Sequence, residues 1–184
     1  MGIETGLEHK FARFGEGLTV QDGTVIQGYA SLFGACDQGG DIVQKGAYER
    51  SLKSLLASGR NVKMLWQHDP AQPIGIWDEV HEDGKGLWVK GRLLETVDKG
   101  REAAALIEAG AIDGLSIGYR TVRATKNDKG QRLLGELELW EVSLVTFPML
   151  PSARVASKGE DPMADSMREL AATFEVARQE LGRD

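Results

Sequence analysis

Apolar and polar positions alternate along most of the chain as far as Phe147, and this period-two pattern predicts a series of short strands. "HKFARF" and "TVIQGYASLF" carry aromatic and β-branched residues on either side of Asp22-Gly23, so residues 8–33 read as a hairpin. A glycine-rich loop, "GACDQGGDIVQKG", follows. In "AYERSLKSLLAS" the pattern changes, because Ala47, Leu52, Leu55 and Leu56 recur at helical spacing and Gly59 provides a stop. "NVKMLW" is a short strand that ends at "QHDPAQP", a polar loop bounded by prolines. "IGIWDEVHE" and "GLWVKGRLL" form another hairpin around Asp83-Gly84. Thr96 is placed to cap a second helix, "VDKGREAAALIEAG", which Gly110 ends. A strand through Ser116, a turn at "NDKG" and a long strand region, "RLLGELELWEVSLVTF", complete the pattern. Many short strands with two interspersed helices predict an α+β fold built on a mostly antiparallel β-barrel or sandwich, without the strict strand–helix alternation of a doubly wound sheet.

Beyond Pro148 the pattern breaks. "PMLPSARVASKGEDPMAD" holds three of the five prolines and reads as a linker. "DSMRELAATFEVARQELG" then reads as an amphipathic helix, with Ser166 and Glu169 as a capping box and an apolar stripe through Met167, Leu170, Phe174, Ala177 and Leu181. The expected organisation is a main domain over residues 1–155, then a linker and C-terminal helix over 156–184. That helix suits a docking element, a packed extra helix or a dimer seam.

Composition changes this picture little. The 184 residues are 41% apolar and 27% charged, as in an ordinary globular protein. A net charge of −6 supplies no basic footprint for nucleic acid. Cys36 is the one cysteine, so no disulfide framework is expected and a reducing cytoplasm suits the chain. The N-terminus has no apolar signal core and no segment is long and apolar enough to span a membrane.

Candidate chemistry begins at Ser116. Gly114-Leu115-Ser116-Ile117-Gly118 spells G-x-S-x-G, the pattern of the nucleophile elbow in α/β-hydrolases. An elbow has a strand before its serine and a helix after it, whereas here the predicted order is the reverse. A serine needs a base to take its proton. Of the three histidines, His9 starts the first strand and His81 sits among acids in "DEVHED", whereas His68 lies where a strand breaks into a loop beside Asp69. The plain alternative is a loop histidine bonded to backbone. Glu141 shares a strand face with Leu137, Leu139, Ser143 and Val145, so its carboxylate points into a core or cleft and needs a partner. A histidine or an arginine, Arg120 or Arg123, would serve. Cys36 paired with His68 is a weaker nucleophile reading. Neither metal-ligand spacing nor a phosphate-binding loop occurs, so no cofactor is expected.

Taken in order, "GYASLFG…GGDIVQKGAYERSL", "VKMLWQHDPAQPIGIW", "GLWVKGRL", "GAIDGLSIGYR" and "LWEVSLVTFPMLPSARV" resemble the prohead proteases of tailed bacteriophages, from about Gly28 to Val155. The resemblance implies a serine endopeptidase of capsid maturation with a fold like the herpesvirus assembly protease, a β-barrel surrounded by helices. It places the family's histidine on His68 and its serine on Ser116, and it suggests Glu141 as the third member of a triad. It also implies the major capsid protein and its scaffolding segment as partners and substrates, self-cleavage, and a location inside the prohead in the host bacterial cytoplasm. A homodimer or higher oligomer is compatible with it. The competing reading is a non-catalytic capsid-assembly factor that binds coat or scaffold.

The tail yields a prediction. Its small and polar residues should leave the backbone of residues 148–164 open to self-cleavage, detectable by mass spectrometry of the incubated protein. A chain truncated near Val155 should still cleave peptides but enter proheads poorly, as counted in purified proheads.

Overall fold

The computed structural model describes residues 8–11, 18–21, 23–37, 39–112, 114–146 and 155–156. Ten strands form one mixed sheet among these residues. They are β1 (Glu8–Phe11), β2 (Leu18–Gln21), β3 (Val25–Leu32), β4 (Asp41–Val43), β5 (Lys63–Trp66), β6 (Asp69–Glu82), β7 (Gly86–Leu93), β8 (Gly114–Lys126), β9 (Arg132–Val145) and β10 (Val155–Ala156). The order across the sheet is β1-β8-β9-β5-β6-β7-β3-β2-β10, with β4 added to β9. The sheet curls into a half-barrel, bringing β3 near β8 and β1. Most neighbours are antiparallel, but β5 and β4 run parallel to β9 and β10 runs parallel to β2.

The alternation seen in the sequence is the reason these strands have an inside. In β7, Leu87, Val89, Gly91 and Leu93 are buried while Trp88, Lys90 and Arg92 are less so. Ile26, Met64, Ile74, Trp77, Ile117 and Leu144 belong to the same core. Two helices, α1 (Glu49–Ala57) and α2 (Asp98–Glu108), pack on it, α1 against β9 and β6 and α2 against β6 and β7. Gly59 and Gly110 end them with φ of 64° and 70°, a left-handed conformation that glycine adopts without steric cost.

The far edge of β9 shows why this strand holds the molecule together. Its backbone groups must be paired along their whole length. β4 does so at residues 132–134 and β5 at residues 141–144. Between them the start of α1 takes over, with the Ala47 carbonyl accepting from Leu137 N–H at 2.8 Å and Ser51 Oγ accepting from Leu139 N–H at 2.9 Å.

Several expectations need correction. The sheet is an open half-barrel, not a closed barrel. β1 does not pair with β3; the hairpin across Gly23 is β2–β3, and β1 crosses to β8. "QHDPAQP" is not a loop, because only Gln67 and His68 turn the chain and β6 begins at Asp69. Val97, not Thr96, is the N-cap residue of α2, and no side chain caps that helix. Val155 and Ala156, expected in the linker, form β10. The predicted C-terminal helix lies outside the described residues.

One glycine in α2 tests the packing. Replacing a helical glycine by alanine normally stabilises by about 1 kcal/mol. At Gly100 a Cβ would stand 2.2 Å from the Leu94 carbonyl oxygen and 2.9 Å from that of Ile74, which are backbone atoms with little room to move. Gly100→Ala should therefore lower stability by roughly 1–3 kcal/mol, read from urea unfolding.

Candidate active site

Three neighbouring strands, β8, β9 and β5, bring the candidate residues together. Ser116 lies in β8 directly across from Ser143 in β9, and Gly118 lies across from Glu141. Paired residues of an antiparallel ladder point to the same face, so Ser116, Glu141 and Ser143 share one face. Ile117 with Val142 and Leu115 with Leu144 form the opposite face. β5 lies on the other side of β9, and the turn at its end carries His68.

This geometry depends on a bulge. Gly118 pairs with Glu141 but Tyr119 pairs with Leu139, leaving Trp140 as an extra residue in β9. The bulge shifts Leu137 and Leu139 to the face of Ile117 and Tyr119. The expected single face running from Leu137 through Glu141 to Val145 is therefore interrupted. Trp140 projects outward, 42% exposed, with the Arg120 guanidinium over its ring at 5.5 Å.

His68 is held by an unusual turn. Trp66 pairs with Asp69, so Gln67 and His68 form a two-residue hairpin loop. Their φ values are 52° and 62°. Such a loop is a type I′ turn, normally built from Asn-Gly because both central residues need positive φ. A non-glycine residue there costs roughly 1–2 kcal/mol. The surroundings hold the turn in place. Gln67 N–H donates to the Leu144 carbonyl at 2.9 Å, and the Gln67 side chain donates from Nε2 to Thr146 Oγ1 at 2.6 Å and accepts from Thr146 N–H at 3.3 Å. Asp69 Oδ1 accepts from Ala71 N–H at 2.8 Å, which starts β6 on a fixed course.

The central contact is between His68 Nδ1 and Glu141 Oε1, 2.6 Å apart. The two side chains are only 14% and 4% exposed. The other carboxylate oxygen, Oε2, accepts a hydrogen bond from the buried Ser143 hydroxyl. A carboxylate at Nδ1 places the proton there and leaves Nε2 as the basic nitrogen of the neutral ring. Gly118 supplies the room: a Cβ there would lie 2.0 Å from Glu141 Oε1 and 2.7 Å from its carboxyl carbon. Ser116 itself has no exposed surface.

The alternatives are placed elsewhere. Arg120 pairs with Glu138 at 3.3 Å and Arg123 donates to the Gly135 carbonyl at 3.2 Å, so neither arginine is the partner of Glu141. His81 lies in β6, exposed, at a groove of about 860 Å³ between α1 and β6 that contains none of His68, Ser116 and Glu141. Cys36 is exposed and accepts from Gln131 Nε2 at 3.0 Å, near the start of β9 rather than its end. His9 lies in β1, opposite Gly118. Ser143 and Gly118 escaped notice as parts of the site, although Ser143 stood on the Glu141 face and Gly118 in the G-x-S-x-G pattern.

The chain is 32% identical over 136 residues to the prohead protease of Enterobacteria phage HK97, covering 72% of this chain and 59% of that protein. It is 32% identical over 104 residues to the capsid polyprotein of Pseudomonas phage PAJU2, covering 52% of this chain but 15% of the polyprotein. The chain thus spans less than two thirds of each relative. Among solved structures, the bacteriophage T4 capsid assembly protease superposes with a TM-score of 0.59 at 22% identity, over 77% of this chain and 98% of that one. The varicella-zoster virus protease gives 0.39 at 12% identity, over 71% and 62%, a score too low to argue a shared fold. Residues 15–167 match the family described as caudovirus prohead serine protease, and the chain belongs to that family.

Proposed function

We propose that the chain is a serine endopeptidase of phage capsid maturation in which Ser116 is the nucleophile, His68 the general base and Glu141 the residue that orients the base. The observation that carries this reading is the 2.6 Å contact of His68 with a buried glutamate, on the strand that also pairs directly with Ser116. Glu141 accepts a hydrogen bond from Nδ1–H and stabilises the imidazolium that forms when Nε2 takes the proton of Ser116. The Ser116 oxygen attacks the peptide carbonyl, His68 returns the proton to the leaving amine, and water then releases the acyl-enzyme. Backbone N–H groups stabilise the oxyanion.

The relatives supply the biological setting. They include a prohead protease and a capsid polyprotein, so the substrates proposed for this chain are capsid protein, its scaffolding segment and the chain itself, cleaved within the prohead. A capsid-binding factor without activity would have no use for a strained histidine turn aimed at a buried carboxylate. No helix of the described residues is long and apolar enough to cross a membrane.

Three sets of variants test the reading. Ser116→Ala and His68→Ala, each co-expressed with the coat protein, should abolish trimming of coat and of the protease by mass spectrometry while the protein stays folded; normal trimming by either would refute the triad. Glu141→Gln should fold and lose roughly two to four orders of magnitude in rate, because an amide cannot stabilise the imidazolium. Full activity with a lower melting temperature would instead make Glu141 a structural partner. Gly118→Ala and Ser143→Ala act on the same carboxylate from two sides. The first pushes Oε1 away from His68, and the second removes the donor to Oε2. Both should lower kcat more than they raise KM in a peptide assay, with Gly118→Ala the more severe.

A further inference from the structure

The strand beside the nucleophile is contributed by the chain's own N-terminal segment. β1 runs antiparallel along the outer edge of β8 with Phe11 opposite Ser116, Lys10 opposite Ile117, His9 opposite Gly118 and Glu8 opposite Tyr119. Among the described residues it is the last strand of the sheet on that side and pairs with β8 alone. It also lies before residue 15, where the family match begins. An extended peptide reaches a strand-borne serine most directly by adding to the edge of that strand, where main-chain hydrogen bonds supply affinity and side-chain contacts supply selectivity. That edge is the one β1 covers, and Ser116 is fully buried with β1 in place.

One side chain of β1 has a built receptor. Glu8 Oε1 accepts from Thr121 N–H at 3.2 Å, and Oε2 accepts from Arg132 Nη2 at 2.5 Å. Arg132 is oriented in advance by the buried Asp41, which takes Nε at 2.8 Å and Nη2 at 2.6 Å in a two-point contact. Burial pushes the Glu8 carboxyl upward, but the hydrogen bonds from Thr121 and Arg132 and the Arg132 charge outweigh it and hold the group below the usual carboxylate range.

We infer that the outer edge of β8 is a docking edge for an extended peptide with an acidic residue three positions before the one facing Ser116, that Arg132 reads this acid, and that β1 occupies the edge as an internal competitor. This deepens the protease reading and rests on it for the consequence that a docked peptide is cut. The docking itself requires only the strand edge and Arg132.

Binding can be measured where nothing is cut, in the full chain carrying Ser116→Ala. The probe is a fluorescein-labelled synthetic peptide with the sequence of residues 6–14, GLEHKFARF, and a second version with glutamine in place of its glutamate, followed by fluorescence anisotropy. Adding Glu8→Gln to the chain weakens the internal competitor, so the glutamate peptide should bind about tenfold tighter, the worth of one charge-assisted hydrogen bond. The glutamine peptide should bind more weakly than the glutamate one, and Arg132→Lys should shrink that preference while thermal melting confirms a folded protein. Unchanged affinity with Glu8→Gln, equal binding of the two peptides, or a Glu8→Gln chain that loses both melting temperature and peptide binding would overturn the inference and leave β1 as a structural edge strand. Coat-protein trimming by the Ser116 chain, scored separately, keeps the two readings apart: intact trimming with failed peptide binding removes the docking edge alone, and failed trimming with the expected binding removes the protease alone.

Discussion

A carboxylate buried in a strand face is the constraint on which the rest of this site depends. An ion the size of Glu141, removed from water, costs several kcal/mol unless it is paired and hydrogen-bonded. Both of its oxygens are accounted for, one by His68 and one by Ser143. Meeting that demand shapes three separate stretches of chain. β9 carries an extra residue at Trp140, which re-aims Glu141. β8 carries a glycine opposite it, because any larger residue would occupy the carboxylate's place. The β5–β6 connection takes a conformation that neither of its two residues favours, which brings His68 over β9.

The turn stores the unfavourable part of this arrangement. Two consecutive non-glycine residues with positive φ persist only when their surroundings over-determine them. Here the hydrogen bonds of Gln67 to Leu144 and Thr146 tie one residue of the turn to the end of β9, and Glu141 ties the other. The histidine therefore has one orientation instead of several, and its entropy is spent during folding. Placing it on a tight turn between paired strands gives a loop position the precision of a strand.

Much of this was legible in the sequence, and what was missed has physical causes. Strands with one buried face advertise it through alternation, and β3, β6, β7, β8 and β9 could be read in that way. His68, Ser116 and Glu141 were picked out by residue type and by the order of motifs. The turn was misread because Pro70 and Pro73 look like loop residues; in fact Trp66 pairs with Asp69 and Leu65 with Pro73, so Pro70 falls where β6 bulges away from β5 and Pro73 holds the one pair between two register shifts. The bulge at Trp140 was missed although the chain marks it: buried apolar positions run Leu137, Leu139 and then Val142, Leu144, a step of three where the backbone slips by one. The pairing of β1 with β8 joins segments more than a hundred residues apart, and nothing local marks it.

The G-x-S-x-G pattern shows how one set of letters can answer two different physical needs. In a nucleophile elbow the glycines relieve crowding around a serine held on a sharp turn between strand and helix. Here Ser116 sits within a regular strand, and Gly118 has no positive φ. Gly118 is required for the space above it, and that space is filled by a side chain from the next strand. The resemblance to the elbow is therefore confined to spelling. Here strand pairing sets the neighbours instead, with Ser143 and Glu141 following one another along β9, Ser116 across from the first, and the histidine returning from β5 to reach the second.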